Sequence, residues 1–323
     1  MLMKNLRIIF MGTPEFAVAS LKALVETNHN IVGVITNPDK PAGRGQKIKK
    51  SEVKKYAIEK KLHILQPEKL KNSGFIEQLK KLKADLQIVI AFRMLPEVVW
   101  NMPQYGTFNL HASLLPQYRG AAPINWAIIN GEKKTGATTF FIEHKIDTGK
   151  IIFHEEVPIL ANETAGELHD KLMVIGAKLV LKTVESIWNN SFPQIDQASM
   201  INNSENLKPA PKINKEDCKI KWDKNILEVY NFIRGLSPYP GAWSEILSLS
   251  NKKLFIKIFQ TEIIRKQHSC PVGKIISDNK TYIKISAKNG FVYLKSLQLA
   301  GKKKLQVEDF LKGFHNICEY RLV

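Results

Sequence analysis

The chain has 323 residues, of which 44% are hydrophobic and 24% charged, a size and balance typical of a globular protein with two domains. No apolar run reaches the roughly 20 residues of a membrane span, and the first residues lack a signal-peptide pattern, so we expect a cytoplasmic protein with no membrane association. The formal net charge of +18 favours a polyanionic partner such as nucleic acid, although a lysine-rich solubility surface would give the same charge.

The cysteines are few and widely spaced. Cys218, Cys270 and Cys318 form no CxxC pair, which argues against a disulfide framework and against zinc. We therefore expect a reducing compartment and no metal. Separately, we expect a monomeric chain.

Apolar runs alternate with helical patterns in the first half of the chain. Strands are predicted at 6–12, 31–37 and 84–92, and we expect Thr13 to cap the first helix, with Pro14 in its first turn. This alternation predicts an α/β fold with a doubly wound, mostly parallel, Rossmann-like sheet. Further predicted elements are a strand near 107–111, longer strands at 135–144 and 150–159, and a helix over 164–189.

The second half of the chain has a different pattern. A polar segment punctuated by prolines follows residue 189, and short strand-like runs separated by turn residues come after it. The pattern predicts a first domain at 1–189, a linker at 190–206 and, at 207–323, a small C-terminal β-barrel that is OB-like. Lysines dot this barrel and cluster at 302–304.

The loop after the first strand argues against a dinucleotide site. It reads MGTPEF, and Pro14 stands where a second glycine would let the backbone approach a pyrophosphate. An NAD-dependent oxidoreductase is therefore disfavoured.

The segment FNLHASLLP carries the strongest candidates for chemistry. Asn109 and His111 are two residues apart, so they share one face at the end of a predicted strand, where open α/β sheets bind ligands. An amide can stabilise an oxyanion, and an imidazole can move a proton near neutral pH. Asp147 is a possible partner for the imidazole. His111 as a core histidine and Asp147 as a turn residue are the structural alternatives.

These motifs together resemble one family. FNLHASLLPQYRGAAPINWAI, TGAT and DTGKI occur in the order seen in the folate-dependent formyltransferases, and the resemblance spans nearly the whole chain. PDKPAGRGQK, SPYPGAW and LQLAGKKKLQVEDFLKG are similar to segments of the branch that acts on methionyl-tRNA. The resemblance implies 10-formyltetrahydrofolate as donor co-substrate, initiator methionyl-tRNA as acceptor, and a tRNA-binding role for the C-terminal barrel.

The resemblance also implies roles for particular residues. It maps the catalytic trio onto Asn109, His111 and Asp147, and it places the backbone of 88–95 beside the pterin. Arg93 and Met94 stand where relatives commonly have a Tyr-Gly pair. The implied folate contacts are Ser113, Leu114, Leu115 and Pro116.

A basic loop at 38–47 matches the tRNA-sensing loop of that branch. The predicted tRNA contacts are Arg44, Lys47, Lys49 and Lys50. From the residues alone, a solvated basic loop is the favoured interpretation of this stretch, and the resemblance reverses that preference.

Two other functions remain open. The same trio could transfer a formyl group to a nucleotide-linked amino sugar or to glycinamide ribonucleotide. A non-catalytic RNA-binding protein with a decayed enzyme fold is the alternative of another class, and the intact trio argues against it.

Overall fold

The computed structural model describes residues 5–42, 47–201, 206–249 and 251–323. In chain order the strands within these ranges are β1 (Arg7–Gly12), β2 (Asn30–Ile35), β3 (Lys40–Ala42), β4 (Lys47–Lys49), β5 (Ile64–Leu65), β6 (Leu86–Ile90), β7 (Thr107–His111), β8 (Lys134–Phe141), β9 (Ile151–Pro158), β10 (Ala242–Leu247), β11 (Lys253–Arg265), β12 (Ile275–Ser277), β13 (Ile283–Ala287), β14 (Gly290–Leu299), β15 (Leu305–Gln306) and β16 (Arg321–Leu322).

The α-helices are fewer than the strands. They are α1 (Glu15–Val25), α2 (Glu52–Glu59), α3 (Ser73–Lys81), α4 (Glu97–Trp100), α5 (Pro123–Ile129), α6 (Ala165–Trp188), α7 (Ile226–Gly235) and α8 (Val307–Gly313). Short 3₁₀ turns occur at Gln197–Met200, Glu216–Cys218 and Ile317–Glu319.

The first sheet has seven strands in the order β5-β2-β1-β6-β7-β8-β9. The first five strands in this order, β5-β2-β1-β6-β7, pair in parallel with their neighbours. Parallel pairing is expected where a crossover segment, usually a helix, links successive strands. β7 and β8 pair antiparallel. The strand order reverses beside β1, so the carboxyl ends of β1 and β6 flank the position where such sheets bind ligands. The prediction of a mostly parallel, Rossmann-like sheet is confirmed.

The apolar strands form the centre of the first sheet. All five residues of β6 are buried, and so are the last five of β1. Helix α6 packs closely on β7. The contact leaves no room for a side chain at Gly176, where an added Cβ would lie 2.7 Å from Cδ2 of Leu110. This packing fixes the strand that ends in His111.

The predicted start of α1 is wrong by one residue. The backbone stays extended through Pro14 (φ −80°, ψ 176°), so Pro14 is the N-cap and the helix begins at Glu15. Thr13 therefore lies one position too early to cap the helix, and its buried hydroxyl has no partner among the described residues.

The second sheet is antiparallel and nearly closed, which confirms the predicted C-terminal OB-like barrel. Its order is β12-β13-β14-β11-β10-β16, and β15 adds to β14. Ile258, Val292 and Leu297 are fully buried in its core. Helix α7, which was not predicted from the sequence, begins with a capping box between Asn225 and Glu228 and packs its apolar face into the same core.

The chain divides into two compact units. Unit 1 contains 1–120, 135–157 and 169–209, and unit 2 contains 121–134, 158–168 and 210–323. The domain boundaries predicted from the sequence, at 189 and 206, stay a prediction.

Two features are missing from the ranges that the structure describes. Within them, no helix has both the length and the apolar character needed to cross a membrane. The same ranges contain no group of three or more His, Cys, Asp or Glu side chains placed to hold a metal ion.

Candidate active site

Asn109 and His111 lie at the carboxyl end of β7, on the same face of the strand. In the parallel pairing with β6, Asn109 is opposite Val89. Asn109 and His111 therefore lie one strand away from the gap between β1 and β6, where the strand order reverses. The Asn109 Oδ1 atom is buried and has no hydrogen-bond partner among the described residues. A buried polar atom without a partner costs free energy, so this amide is suited to pair with a bound molecule.

The imidazole of His111 is only 7% exposed. Its Nε2 lies 2.8 Å from the carbonyl oxygen of Tyr118. A carbonyl oxygen can only accept, so Nε2 carries the hydrogen of this bond. The other ring nitrogen, Nδ1, lies 3.8 Å from Oδ2 of Asp147, close enough for charge attraction and too far for a hydrogen bond. Nδ1 is therefore the nitrogen that can act on a substrate.

Asp147 is held by a tight turn between β8 and β9. Its backbone has φ +53°, in the left-handed region, and its Oδ2 accepts a hydrogen bond of 2.9 Å from the backbone N–H of Gly120. Two residues later, a Cβ at Gly149 would overlap the carbonyl oxygen of Phe141, so only glycine fits there. The Asp-Thr-Gly turn is thus a built structure that brings the carboxylate to His111.

Gln197 supports this turn and was missed in the sequence. Its side chain is 1% exposed, and its Nε2 donates to the backbone oxygens of Asp147 (3.0 Å) and Gly149 (2.8 Å). Its Oε1 accepts from Nε and Nη2 of Arg119, at 3.1 and 2.7 Å. Burial lowers the pKa of Arg119, while the nearby Asp147 opposes that shift. The only sequence signal was a glutamine in a polar segment, which by itself predicts a linker.

The Ser-Leu-Leu-Pro turn follows His111 directly. Thr138 on β8 fixes it, since its Oγ1 donates to the carbonyl oxygen of Ser113 at 2.6 Å and accepts from the N–H of Leu115 at 3.2 Å. The Ser113 hydroxyl donates to Gln117, and Leu115 packs in a small core with Phe140. The side chains of Ser113 and Leu115 are therefore directed inward. Pro116 is buried and Leu114 is half-buried.

Three of the predicted tRNA contacts lie on or directly after β4 of the β3–β4 pair. Lys40 pairs with Lys49 and Pro41 with Ile48 in this two-stranded sheet. Lys49 and Lys50 are exposed, and Lys47 lies in β4. Arg44 is outside the described residues.

The loop after β6 lies at the same edge of the first sheet as His111. Ala91 has φ +47°, and Arg93 then donates to the carbonyl oxygens of Glu68 (2.8 Å) and Pro67 (2.7 Å). Burial lowers the pKa of Arg93. Of the two residues that depart from the expected Tyr-Gly pair, Arg93 thus anchors this loop to two backbone oxygens, whereas Met94 is exposed.

Family and structural comparisons identify proteins that this chain resembles. Residues 5–184 match the formyl transferase family, and 212–315 match the formyl transferase C-terminal domain. The N-formyltransferase of Helicobacter canadensis, solved with folinic acid and dTDP-3-aminofucose, has the same fold, with a TM-score of 0.64 at 23% identity over 93% of this chain and 100% of its own. The chain belongs to the formyl transferase family.

Curated relatives narrow the family further. The chain is 57% identical over 319 residues to the methionyl-tRNA formyltransferase of Bacteroides thetaiotaomicron, covering 99% of both chains. It is 56% identical over 311 residues to that of Flavobacterium johnsoniae, covering 96% of this chain and 97% of the relative. Within its family the chain therefore belongs with the methionyl-tRNA formyltransferases, and the resemblance seen in the sequence is confirmed.

Gln197→Ala should lower kcat for formyl transfer by about tenfold to hundredfold, because the turn carrying Asp147 loses two hydrogen bonds and small misplacements of catalytic groups are costly. The KM for the folate donor should change little. Ser199→Ala is the matched control, since that exposed side chain bonds only to Asp196 in the same turn. Steady-state rates of both variants test this, and an unchanged kcat for Gln197→Ala would contradict it.

Proposed function

We propose that the chain transfers the formyl group of 10-formyltetrahydrofolate to the α-amine of initiator methionyl-tRNA and thereby makes N-formylmethionyl-tRNA for translation initiation in the cytoplasm. The observation that carries the proposal is the arrangement at the end of β7, where the Asn109 side chain and Nδ1 of His111 share one strand face beside Asp147. The Oδ1 atom of Asn109 has no partner among the described residues, so this amide can bind a substrate group. The full-length relatives named methionyl-tRNA formyltransferase support the choice of acceptor.

The chemistry follows from these three side chains. The ester of an aminoacyl-tRNA withdraws electrons, so its amine can be neutral and attack the formyl carbon. The new C–N bond produces a tetrahedral oxyanion, which Asn109 and a protonated His111 stabilise, each donor contributing about 3 kcal/mol. The bond from the formyl carbon to N10 of the folate then breaks, and N10 takes the proton that the amine has given up.

Asp147 prepares His111 for this role. Tyr118 holds Nε2–H, so the proton that matters sits on Nδ1, facing both the carboxylate and the reaction. The carboxylate of Asp147 lies 3.8 Å from Nδ1, so it faces the ring nitrogen that meets the oxyanion. Because 3.8 Å is too long for a direct bond, Nδ1–H remains available to the substrate or to a water that carries the proton toward N10.

The donor fits the edge where β1, β6 and β7 end. We infer that the backbone of the turn at 113–116 forms one wall of the folate site, because the inward-facing Ser113 and Leu115 leave chiefly backbone and Leu114 for contact. The loop at 91–95 forms another wall. The unpaired Oδ1 of Asn109 is suited to accept a hydrogen bond from a bound molecule at this edge.

The net charge supports a large acceptor. The net charge of +18 matches the phosphate backbone of a tRNA, which supplies most of the affinity of such complexes. We assign Lys47, Lys49, Lys50 and Arg44 to the end of the acceptor stem. The exposed lysines of the C-terminal barrel, at 207–323 in the proposed domain division, would hold the outer part of the tRNA.

His111→Ala and Asn109→Ala should each lower kcat by about a hundredfold to a thousandfold, since each removes a group that stabilises the oxyanion. His154→Ala is the control, because His154 is exposed on β9. Thermal unfolding should stay near that of the unmodified chain in both variants, and folate binding should stay near normal in His111→Ala. Turnover within a few-fold of normal in either site variant would rule out its assigned role.

Changing Lys302 and Lys303 together to alanine should weaken tRNA binding and flatten its dependence on salt, by about one unit of log–log slope for each phosphate that is no longer neutralised. The control is the pair Lys80 and Lys81, which are exposed in the last turn of α3. Binding titrations between low and physiological salt measure both slopes. Identical slopes for the two double variants would argue against the barrel as a tRNA surface.

A further inference from the structure

A short segment, Gln66–Glu68, receives hydrogen bonds from one loop of unit 1 and donates them to another. It begins directly after β5, at the same edge of the first sheet as the candidate active site. On one side lies the base of the basic β3–β4 hairpin, and on the other lies the loop between β6 and α4. We refer to this segment as the 66–68 anchor.

The hairpin side of the anchor is fixed through Asp39, the residue just before β3. Nε2 of Gln66 donates to Oδ1 of Asp39 at 3.0 Å and to the carbonyl oxygen of Asn37 at 2.7 Å. Nζ of Lys54, on α2, donates to the other carboxylate oxygen of Asp39 at 2.6 Å. The two side chains of this ion pair are 17% and 21% exposed, so the pair is well shielded from water.

The charge state of Asp39 suits this arrangement. Hydrogen bonds from Lys54 first, and then from Gln66, lower the pKa of the Asp39 carboxyl. The carboxylate is therefore ionised at neutral pH. Its hydrogen bonds hold Asp39 in place at the start of β3.

The loop side of the anchor is fixed by Arg93. Its guanidinium donates to the backbone oxygens of Pro67 and Glu68, and it lies over the ring of Phe92 at 5.2 Å. The Nε atom is buried and has no partner among the described residues, so the guanidinium makes these two hydrogen bonds through Nη1 and Nη2. A lysine could not satisfy both carbonyl groups in the same fixed geometry.

We propose that the 66–68 anchor couples the acceptor-side hairpin to the donor-side loop, with Asp39 and Arg93 as positioning residues on its two sides. This inference rests on the proposed function, which gives the hairpin to the tRNA and the loop at 91–95 to the folate. Coupling follows because both loops are tied to one segment of three residues. Releasing either side lets the anchor shift and so disturbs the other side as well.

A double-mutant cycle with Asp39→Ala and Arg93→Ala tests the coupling. Each single variant should raise the KM for both substrates by about threefold to tenfold, the range expected for losing such hydrogen bonds. At saturation, kcat should stay within about twofold. The KM values of the double variant should rise by less than the product of the single effects, because the second release adds little once the anchor is free.

Glu52→Gln is the matched control for this cycle. It breaks the exposed Glu52–Lys55 pair on the same helix as Lys54, and it should leave both KM values unchanged. If an alanine variant fails to fold, Asp39→Asn and Arg93→Lys carry the test. The first keeps an oxygen acceptor for Gln66 without the ion pair, and the second keeps the positive charge without the planar guanidinium that meets the two carbonyl groups through separate nitrogens. Each of these variants should therefore raise the KM for both substrates, by less than the corresponding alanine variant does.

Hydrogen exchange supplies a readout that needs no substrate. In Arg93→Ala, the amides paired between Lys40 and Lys49 should exchange at least about threefold faster, although Arg93 touches neither strand. Unchanged amide exchange there would overturn the proposed coupling. So would single variants that each raise the KM of one substrate only, with a double variant whose KM values rise by the product of the single effects. An unmodified chain that fails to formylate methionyl-tRNA would instead refute the proposed function, while faster exchange would still show that the anchor links the two loops.

Discussion

The candidate site depends on one buried amide, the side chain of Gln197, which holds the turn that carries Asp147. Its Nε2 binds two backbone oxygens of that turn, and its Oε1 takes two donors of Arg119. The residue next to Arg119, Gly120, donates in turn to the carboxylate of Asp147. A closed set of hydrogen bonds thus joins the loop after β7 to the loop after β8, and it brings the carboxylate to 3.8 Å from His111. A buried network of this kind is stable only when every member is paired.

The rest of the molecule positions this network. The parallel strands bring their carboxyl ends to one edge, so residues distant in the sequence, such as Asn109 and those of the loop at 91–95, become neighbours. The antiparallel pairing of β7 with β8 places Thr138 opposite His111, where its hydroxyl also shapes the turn beside the imidazole. The apolar strands thus supply the rigidity, and the polar residues at their ends supply the chemistry.

Much of the fold could be predicted from the sequence, because β1 and β6 are largely apolar runs whose length and flanks indicate buried strands. The shared face of Asn109 and His111 followed from strand periodicity. The positions of Gln197 and Arg93 could not be predicted, since both act through backbone oxygens 25 to 50 residues away, and such contacts leave no local pattern. Thr13 was assigned the wrong role because the backbone stays extended through Pro14, which moves the helix start one residue along the chain.

The most direct test of the proposed function is formyl transfer from 10-formyltetrahydrofolate, measured with three acceptors side by side. These are charged initiator methionyl-tRNA, a nucleotide-linked amino sugar and glycinamide ribonucleotide. We predict rapid transfer to the tRNA and none above background to the two small acceptors. Transfer to a small acceptor alone would keep the chemistry of Asn109, His111 and Asp147 but contradict the assignment of the positive charge and the basic hairpin to tRNA.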